Sequence, residues 1–290
     1  MRRGPAPGPL HQDLGPGDHP VTGGADALGL IAGCGPLPLI AAREAKARGR
    51  RVVAVALREE TDPALEGVAD RTVWVAVGQL GALLRAFRRE GVTETIMVGK
   101  VQMTHLFSRI RPDLRGARLF ARLRDRRGDA ILEGVAEELA KEGITLRPCT
   151  EFLKGILLAP GVLTRRAPTP AERDDIRFGR EIARSIAALK IGQTVVVKRG
   201  TVVAVESIEG TDAAIRRGGT LGKEGVVVVK ACRPDHDFRF DVPVIGRSTV
   251  EALREVRGRV LAVEADRTLC LDREEMVALA DEAGIAVLAD

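Results

Sequence analysis

Rings are scarce in this chain, which has no tyrosine, one tryptophan and seven phenylalanines. A surface that stacks bases needs repeated aromatic platforms, and no RNA-binding aromatic motif is present, so nucleic acid is not an expected partner. Cysteine and histidine are equally thin, at four each. Cys34, Cys149, Cys232 and Cys270 lie far apart without a Cys-x-x-Cys pair, which argues against a zinc ribbon or a disulfide scaffold and makes reduced thiols the expectation. His11, His19, His105 and His236 form no His-Glu-x-x-His or His-x-His pattern, so any metal is expected to be held by oxygen. No window reaches the roughly 18 apolar residues of a membrane span, and membrane contact is therefore expected to be peripheral.

What is present reads as a globular protein. Of its 290 residues 45% are apolar and 29% charged, a length that suggests two domains and a composition able to fill their cores. The net charge of +5 is a mild excess that suits a phosphate-bearing partner or an anionic membrane surface. Residues 1–26 are rich in proline and glycine and lack the apolar run of a signal peptide, so they are expected to form a disordered leader.

From residue 28 strand-like and helix-like segments alternate, which predicts a Rossmann-like α/β domain with a mostly parallel sheet over 27–148. Its first turn, GCGPLP at 33–38, matches only two glycines of G-x-G-x-x-G, and Arg58 stands at the end of the second strand in place of an acidic ribose partner. A nicotinamide cofactor is not expected on that ground. The helix start after Gly33 and Gly35 suits a phosphate equally well as it suits an ordinary tight turn. Lys100 follows a strand end, where ligands of open α/β sheets bind. Eight arginines between 109 and 127 predict a basic helical surface. Residues 149–170 carry several prolines and read as a crossover linker, with a strand or lid-like edge over 151–158. A mixed α+β domain is expected over 171–290, opened by a helix from about 171 to 189.

Charge chemistry concentrates in residues 202–249. A β-branched run ends at Glu206, and Ser207, Ile208, Glu209, Gly210, Thr211 and Asp212 lead into a short helix, expected to be capped by Thr211 and to stop at Gly218 and Gly219. A second strand over 226–230 ends at Lys230, and the run DFRFD at 237–241 follows. If that run is extended, Asp237, Arg239 and Asp241 share one face and Phe238 and Phe240 the other. Carboxylates at that spacing suit Mg²⁺, while an edge strand with a salt-bridged outer face would show the same alternation. Glu264 and Asp266, also at a strand end, are candidates to extend the acidic group. GGTLGKE at 218–224 has the wrong spacing for a phosphate loop and lacks its Ser/Thr, so an ATPase is not expected.

Several blocks carry a resemblance. VAVESIEGTDA at 203–213, Lys230, and DFRFDVPVIG at 237–246 resemble the signature of the LpxI-type UDP-2,3-diacylglucosamine pyrophosphatases, and LGLIAGCGPLP at 28–38, VGKV at 98–101, GDAIL at 128–132, LTR at 163–165 and IGQ at 191–193 fall in order with it. The resemblance implies an Mg²⁺-dependent hydrolase of lipid A biosynthesis that splits UDP-2,3-diacylglucosamine into UMP and 2,3-diacylglucosamine 1-phosphate. It further implies a cytoplasmic protein associated peripherally with the inner membrane, with a homodimer left open. On the matching positions Asp237, Asp241 and Asp212 are the catalytic candidates, and Asp237, Asp241 and Glu209 the metal candidates. Gly33, Gly35, Lys100, Thr211, Lys230 and Arg239 are the substrate-binding candidates. One departure is that Arg233, Pro234, Asp235 and His236 stand where the family pattern has Lys-Pro-Gly-Gln. The rival readings are a non-catalytic nucleotide-sugar or lipid sensor, which would need no carboxylate pair, and a nicotinamide-dependent oxidoreductase.

Overall fold

The computed structural model describes residues 27–101, 111–123, 128–232, 237–240 and 242–290; the expected leader and Asp241 lie outside them. The first half runs β1 (Ala27–Ala32), α1 (Leu37–Ala47), β2 (Arg51–Leu57), β3 (Arg71–Val75), α2 (Leu80–Arg89), β4 (Glu94–Val98), α3 (Leu114–Arg122), α4 (Gly128–Lys141) and β5 (Thr145–Arg147). All five strands are parallel in the order β3-β2-β1-β4-β5. Strands buried on both faces read as unbroken apolar runs, and Val52 to Ala56 of β2 are fully buried accordingly. In α2 the residues Leu80, Leu83, Leu84 and Phe87 fall on one helical face and are buried, each contributing about 1.5–3 kcal/mol by burial. The strand order reverses between β1 and β4, which opens a crevice beyond their carboxyl ends.

The basic segment is helical at Leu114–Arg122, where Leu119 turns into the core and joins Leu123 there. Arg115 is bonded to Glu142 and Arg122 to Glu137, so those two charges have acidic partners and do not form an open cationic face. Residues 102–110 and 124–127 lie outside the described residues.

The expected strand over 151–158 is replaced by two short 3₁₀ turns, Cys149–Phe152 and Lys154–Ile156. They bring Cys149, Phe152 and Leu153 into the same core cluster as Leu28, Val242 and Leu269, so apolar packing overrides local strand propensity and joins the two halves. The second half then gives β6 (Gly161–Val162), α5 (Pro170–Ala188), β7 (Thr194–Lys198), β8 (Thr201–Val205), α6 (Thr211–Gly222), β9 (Val227–Lys230), β10 (Val244–Ile245), α7 (Arg247–Glu255), β11 (Val260–Val263), β12 (Leu269–Cys270), α8 (Arg273–Glu282) and β13 (Ala286–Ala289). Its main sheet has the order β6-β13-β11-β9-β7-β8, with β9, β11 and β13 parallel and β6 and β7 antiparallel to their neighbours. β10 and β12 form a small parallel pair of their own.

α5 starts as its residues dictate, with Thr169 and Glu172 exchanging side-chain bonds to each other's backbone N–H in a capping box. α6 differs from expectation. It begins at Thr211 after a Gly210 cap with φ 83°, and it runs through Gly218 and Gly219 to Gly222. Those glycines are contacts and not stops: a Cβ on Gly218 would lie 2.6 Å from the Val196 side chain, so glycine lets the helix settle onto β7.

Residues 237–241 are also not an extended strand among the described positions. Asp237 Oδ1 accepts the Arg239 N–H at 3.0 Å, and Phe240 N donates to the Asp237 carbonyl at 3.1 Å. This Asp-initiated turn defeats the alternation, because a short carboxylate competes well for nearby backbone donors. Phe238 and Phe240 consequently pack against different core clusters.

Candidate functional site

A cavity of about 500 Å³ lies between the halves, a size suited to a small-molecule ligand. From the first half it is lined by Cys34 to Leu37 and by Met97 to Lys100; from the second by Glu209 to Ala213, Lys230, Phe240, Gly246 to Thr249, Leu271 and Asp272. The two stretches from the first half follow β1 and β4, so the cavity occupies the crevice at the switch in strand order.

Close backbone contact fixes that side. Gly33 N donates to Val98 O and Cys34 N to Lys100 O, each at 2.8 Å. A Cβ on Gly33 would meet Lys100 O at 2.5 Å, and one on Gly99, at φ +92°, would meet Cys34 O at 2.7 Å. Only glycine tolerates both the approach and the left-handed conformation. The glycines of 33–35 therefore close the turn against β4, while Gly35 lines the cavity directly.

Four helices, α1, α6, α7 and α8, begin at the cavity wall, and none has a side-chain cap on its first turn. In α2, α3 and α5 the first turns are occupied: Asp113 accepts from Gly116 N of α3 and from Ala82 N of α2, and Thr169 caps α5. Uncapped first turns present N–H donors and about half a unit of positive charge each, a setting that receives anions.

The side chains add opposed charges. Lys100 lines one wall and Lys230, only 4% exposed, lines another. Lys230 Nζ donates to Thr211 Oγ1 at 3.0 Å and to Val244 O at 3.1 Å. Glu209 accepts from Ser207 N and is paired with Arg217, whose hydrogen bond holds its carboxyl below the ordinary range. Asp212, in the first turn of α6, is half-buried and has no hydrogen-bonded or ion-paired partner among the described residues. Arg247 is turned toward Glu251 and Glu275, and its hydrogen bonds to them raise its pKa.

Of the residues singled out from sequence, Gly35, Lys100, Glu209, Thr211, Asp212 and Lys230 line this one cavity, with Gly33 bracing it. Asp237 and Arg239 are not in its lining. They are locked to one another, Arg239 Nη2 donating to Asp237 Oδ2 at 2.6 Å, while their neighbour Phe240 faces the cavity. Asp241 lies outside the described residues. Glu264 does not extend the acidic group: it is buried, accepting from Cys232 N at 2.8 Å and from Arg184, and stands apart from the lining. Asp266 likewise is not among the lining residues and uses its N–H on Leu158 O. Missed from sequence were the α7 start at 246–249 and Asp272. Ser248 and Thr249 in the first turn of α7, and Asp272 just before α8, are the start signals that would have pointed there.

Among the described residues no three acidic, histidine or cysteine side chains gather as a ready metal cage. Asp212 leaves an open carboxylate in the lining, while both oxygens of Glu209 are engaged, by Ser207 N and Arg217; Mg²⁺ takes as few as one carboxylate and fills its shell with water and substrate phosphate.

Comparison with known proteins places these features in a family. The model of the LpxI N-terminal domain matches residues 27–156 and that of the LpxI C-terminal domain residues 159–288. The chain is 36% identical over 272 residues to UDP-2,3-diacylglucosamine pyrophosphatase LpxI of Caulobacter vibrioides, covering 90% of this chain and 96% of that one. Among solved structures, a biotin carboxylase–β,γ-ATP complex from Campylobacter jejuni matches at 13% identity and TM-score 0.27, over 68% of this chain and 42% of that one. The crystal structure of gox2253 matches at 11% identity and TM-score 0.30, over 88% of each chain. Likeness that low carries no argument about fold or chemistry. The two domain models account for nearly the whole described chain and meet where the cavity lies, and the chain belongs to the LpxI family.

Proposed function

We propose that this chain is a UDP-2,3-diacylglucosamine pyrophosphatase of lipid A biosynthesis that works in the cavity between its halves. The observation that carries the reading is the meeting of Lys100, Lys230 and the open carboxylate of Asp212 on one cavity ringed by uncapped helix starts. It is supported by the name of the Caulobacter vibrioides relative. A pyrophosphate is doubly anionic and tetrahedral at each phosphorus, so it needs donors from several directions; helix N–H groups and two ammonium groups supply them.

Water attacks one phosphorus, the bridging P–O bond breaks, and each phosphate keeps its own substituent. The products are UMP and 2,3-diacylglucosamine 1-phosphate, with the protons of water passing to the new phosphates or to solvent. Lys100 and Lys230 bind the anhydride oxygens and offset the charge that grows on the leaving phosphate. Asp212 orients or deprotonates the attacking water, with Asp237 and Asp241 as further carboxylates from the 237–241 run. Arg239, once released from Asp237, adds a bidentate phosphate contact.

Asp212 and Glu209, with Asp241, are the residues that would hold Mg²⁺. When bound, that ion neutralises phosphate charge and acidifies a coordinated water. Peripheral association with the inner-membrane surface is part of the same proposal, motivated by the lipid-bearing substrate; among the described residues no helix is long and apolar enough to cross a membrane. The test is incubation of the purified full chain with UDP-2,3-diacylglucosamine, with and without Mg²⁺, followed by separation of the products. Release of UMP supports hydrolysis, whereas binding without turnover favours a sensor.

A further inference from the structure

A polar chain runs from Lys230 in the cavity wall back to buried Glu206, a residue to which no role has been assigned. Glu206 is 8% exposed and Lys230 4%, and Thr211 stands between them. Lys230 Nζ donates to Thr211 Oγ1 at 3.0 Å, and the Thr211 hydroxyl donates to Glu206 Oε1 at 2.9 Å. An ammonium can only donate, so the threonine oxygen must accept from it and its single proton is directed to the carboxylate. The three groups thus have one consistent hydrogen-bond direction, from Lys230 to Glu206.

Glu206 itself is held from β7. Its N–H donates to Thr194 O at 2.8 Å, and its Oε2 accepts from Gln193 N at 3.4 Å. The turn that brings Gln193 there passes so close that a Cβ on Gly192 would sit 2.0 Å from the Glu206 carbonyl oxygen. The IGQ block at 191–193 faces no part of the cavity lining; its work is to close over Glu206 and fix that carboxylate beneath Thr211.

We infer that Glu206 is a positioning residue for hydrolysis, acting on the cavity through the Thr211 hydroxyl to hold the Lys230 ammonium against the substrate phosphate. A buried ammonium needs a counter-charge, and a carboxylate one hydroxyl away provides it without occupying the face that meets substrate. Thr211 is also the first residue of α6, so the same bond sets the helix start that carries Asp212. The inference rests on the pyrophosphatase reading for its activity readout, and its test is chosen to separate the two.

The experiment is a double-mutant cycle on the full chain, with Glu206→Gln, Thr211→Val and Lys230→Met alone and in pairs, and Thr211→Ser beside them. Glu206→Gln and Thr211→Val each lower kcat by about tenfold or more, with a smaller change in KM, and Thr211→Ser restores most of the loss because it keeps the hydroxyl. In the Lys230→Met background neither Glu206→Gln nor Thr211→Val causes a further loss, because the group through which they act is gone. Losses that add in full in that background overturn the inference, as does a Thr211→Val enzyme with wild-type kcat. If the wild-type chain turns over no UDP-2,3-diacylglucosamine, the functional reading has failed, and the same cycle is read on UDP affinity by calorimetry. Non-additive weakening there still supports the Glu206–Thr211–Lys230 chain, and additive weakening overturns it. Should Glu206→Gln fail to fold, the Thr211→Ser and Thr211→Val pair in both backgrounds decides the point.

Discussion

Cys34 and Lys100 face each other across the end of the first sheet as a two-residue bridge. Cys34 N donates to Lys100 O at 2.8 Å and Lys100 N returns a bond to Cys34 O at 3.3 Å. The bridge ties the turn after β1 to the turn after β4, so the wall of the cavity and the position of Lys100 depend on one backbone contact. The contact is possible because Gly33 and Gly99 have no side chains in the gap.

Gly99→Ala should therefore destabilise the fold by about 1–3 kcal/mol, from a forced contact and a left-handed backbone combined. Gly67→Ala is the control, since a Cβ there meets nothing within 4 Å and its φ is not in the left-handed region. Chemical denaturation of both variants checks this; equal midpoints for Gly99→Ala and wild type would show that the turn relaxes freely.

Asp212→Asn keeps the size of the side chain and the helix start but removes an open carboxylate from the cavity. Steady-state kinetics should show kcat reduced on the order of a hundredfold, with substrate affinity kept or tightened as a negative charge leaves the phosphate site. An unchanged kcat would move the catalytic carboxylate to the 237–241 run.

Within that run, Asp241→Ala should cost more than Asp237→Ala. Asp237 already receives the Arg239 guanidinium and the Arg239 N–H, so its alanine variant also frees a cation for phosphate and recovers part of what it loses. If Asp241 holds Mg²⁺ as proposed, Asp241→Ala should lower kcat by on the order of a hundredfold or more. The reverse ranking in a side-by-side assay would assign the larger role to Asp237.

Much of this arrangement was legible in the sequence, for reasons that can be traced to particular residues. The apolar runs of β1 and β2 and the spacing of Leu80, Leu83, Leu84 and Phe87 are local patterns, and they predicted their elements well. The stretch 206–212 and Lys230 stood out because charge sat at strand ends, and Glu209 to Asp212 do share a cavity with Lys230. What sequence reading missed depends on contacts between distant parts. Gly218 reads as a stop signal until Val196 is known to press against it. Residues 237–240 alternate like a strand, yet the Asp237 carboxylate captures its own turn. Glu264 reads as an active-site acid, and its link to Arg184, 80 positions away, shows otherwise.

Glu264 also carries a pH dependence. Burial pushes its carboxyl upward, but the Cys232 N–H and Arg184 more than offset this and hold it below its ordinary 4.5. A carboxyl depressed in the folded state stabilises the fold above its unfolded pKa, and that contribution is lost as pH falls through the folded value. Glu264→Gln should thus be less stable than wild type at neutral pH, with the gap closing as pH drops below about 4.5. Thermal denaturation at a series of pH values checks it; a gap independent of pH would mean that packing, not ionisation, sets the loss.

Hydrolysis of the pyrophosphate bond is tested most directly by mass spectrometry of the products after the purified chain acts on UDP-2,3-diacylglucosamine in Mg²⁺. UMP and 2,3-diacylglucosamine 1-phosphate are expected in equal amounts, with both diminished together in Asp212→Asn and in Lys230→Met. UDP with free diacylglucosamine would place the broken bond at the sugar, and substrate recovered intact from a folded, binding-competent chain would make it a sensor; either result contradicts a pyrophosphatase.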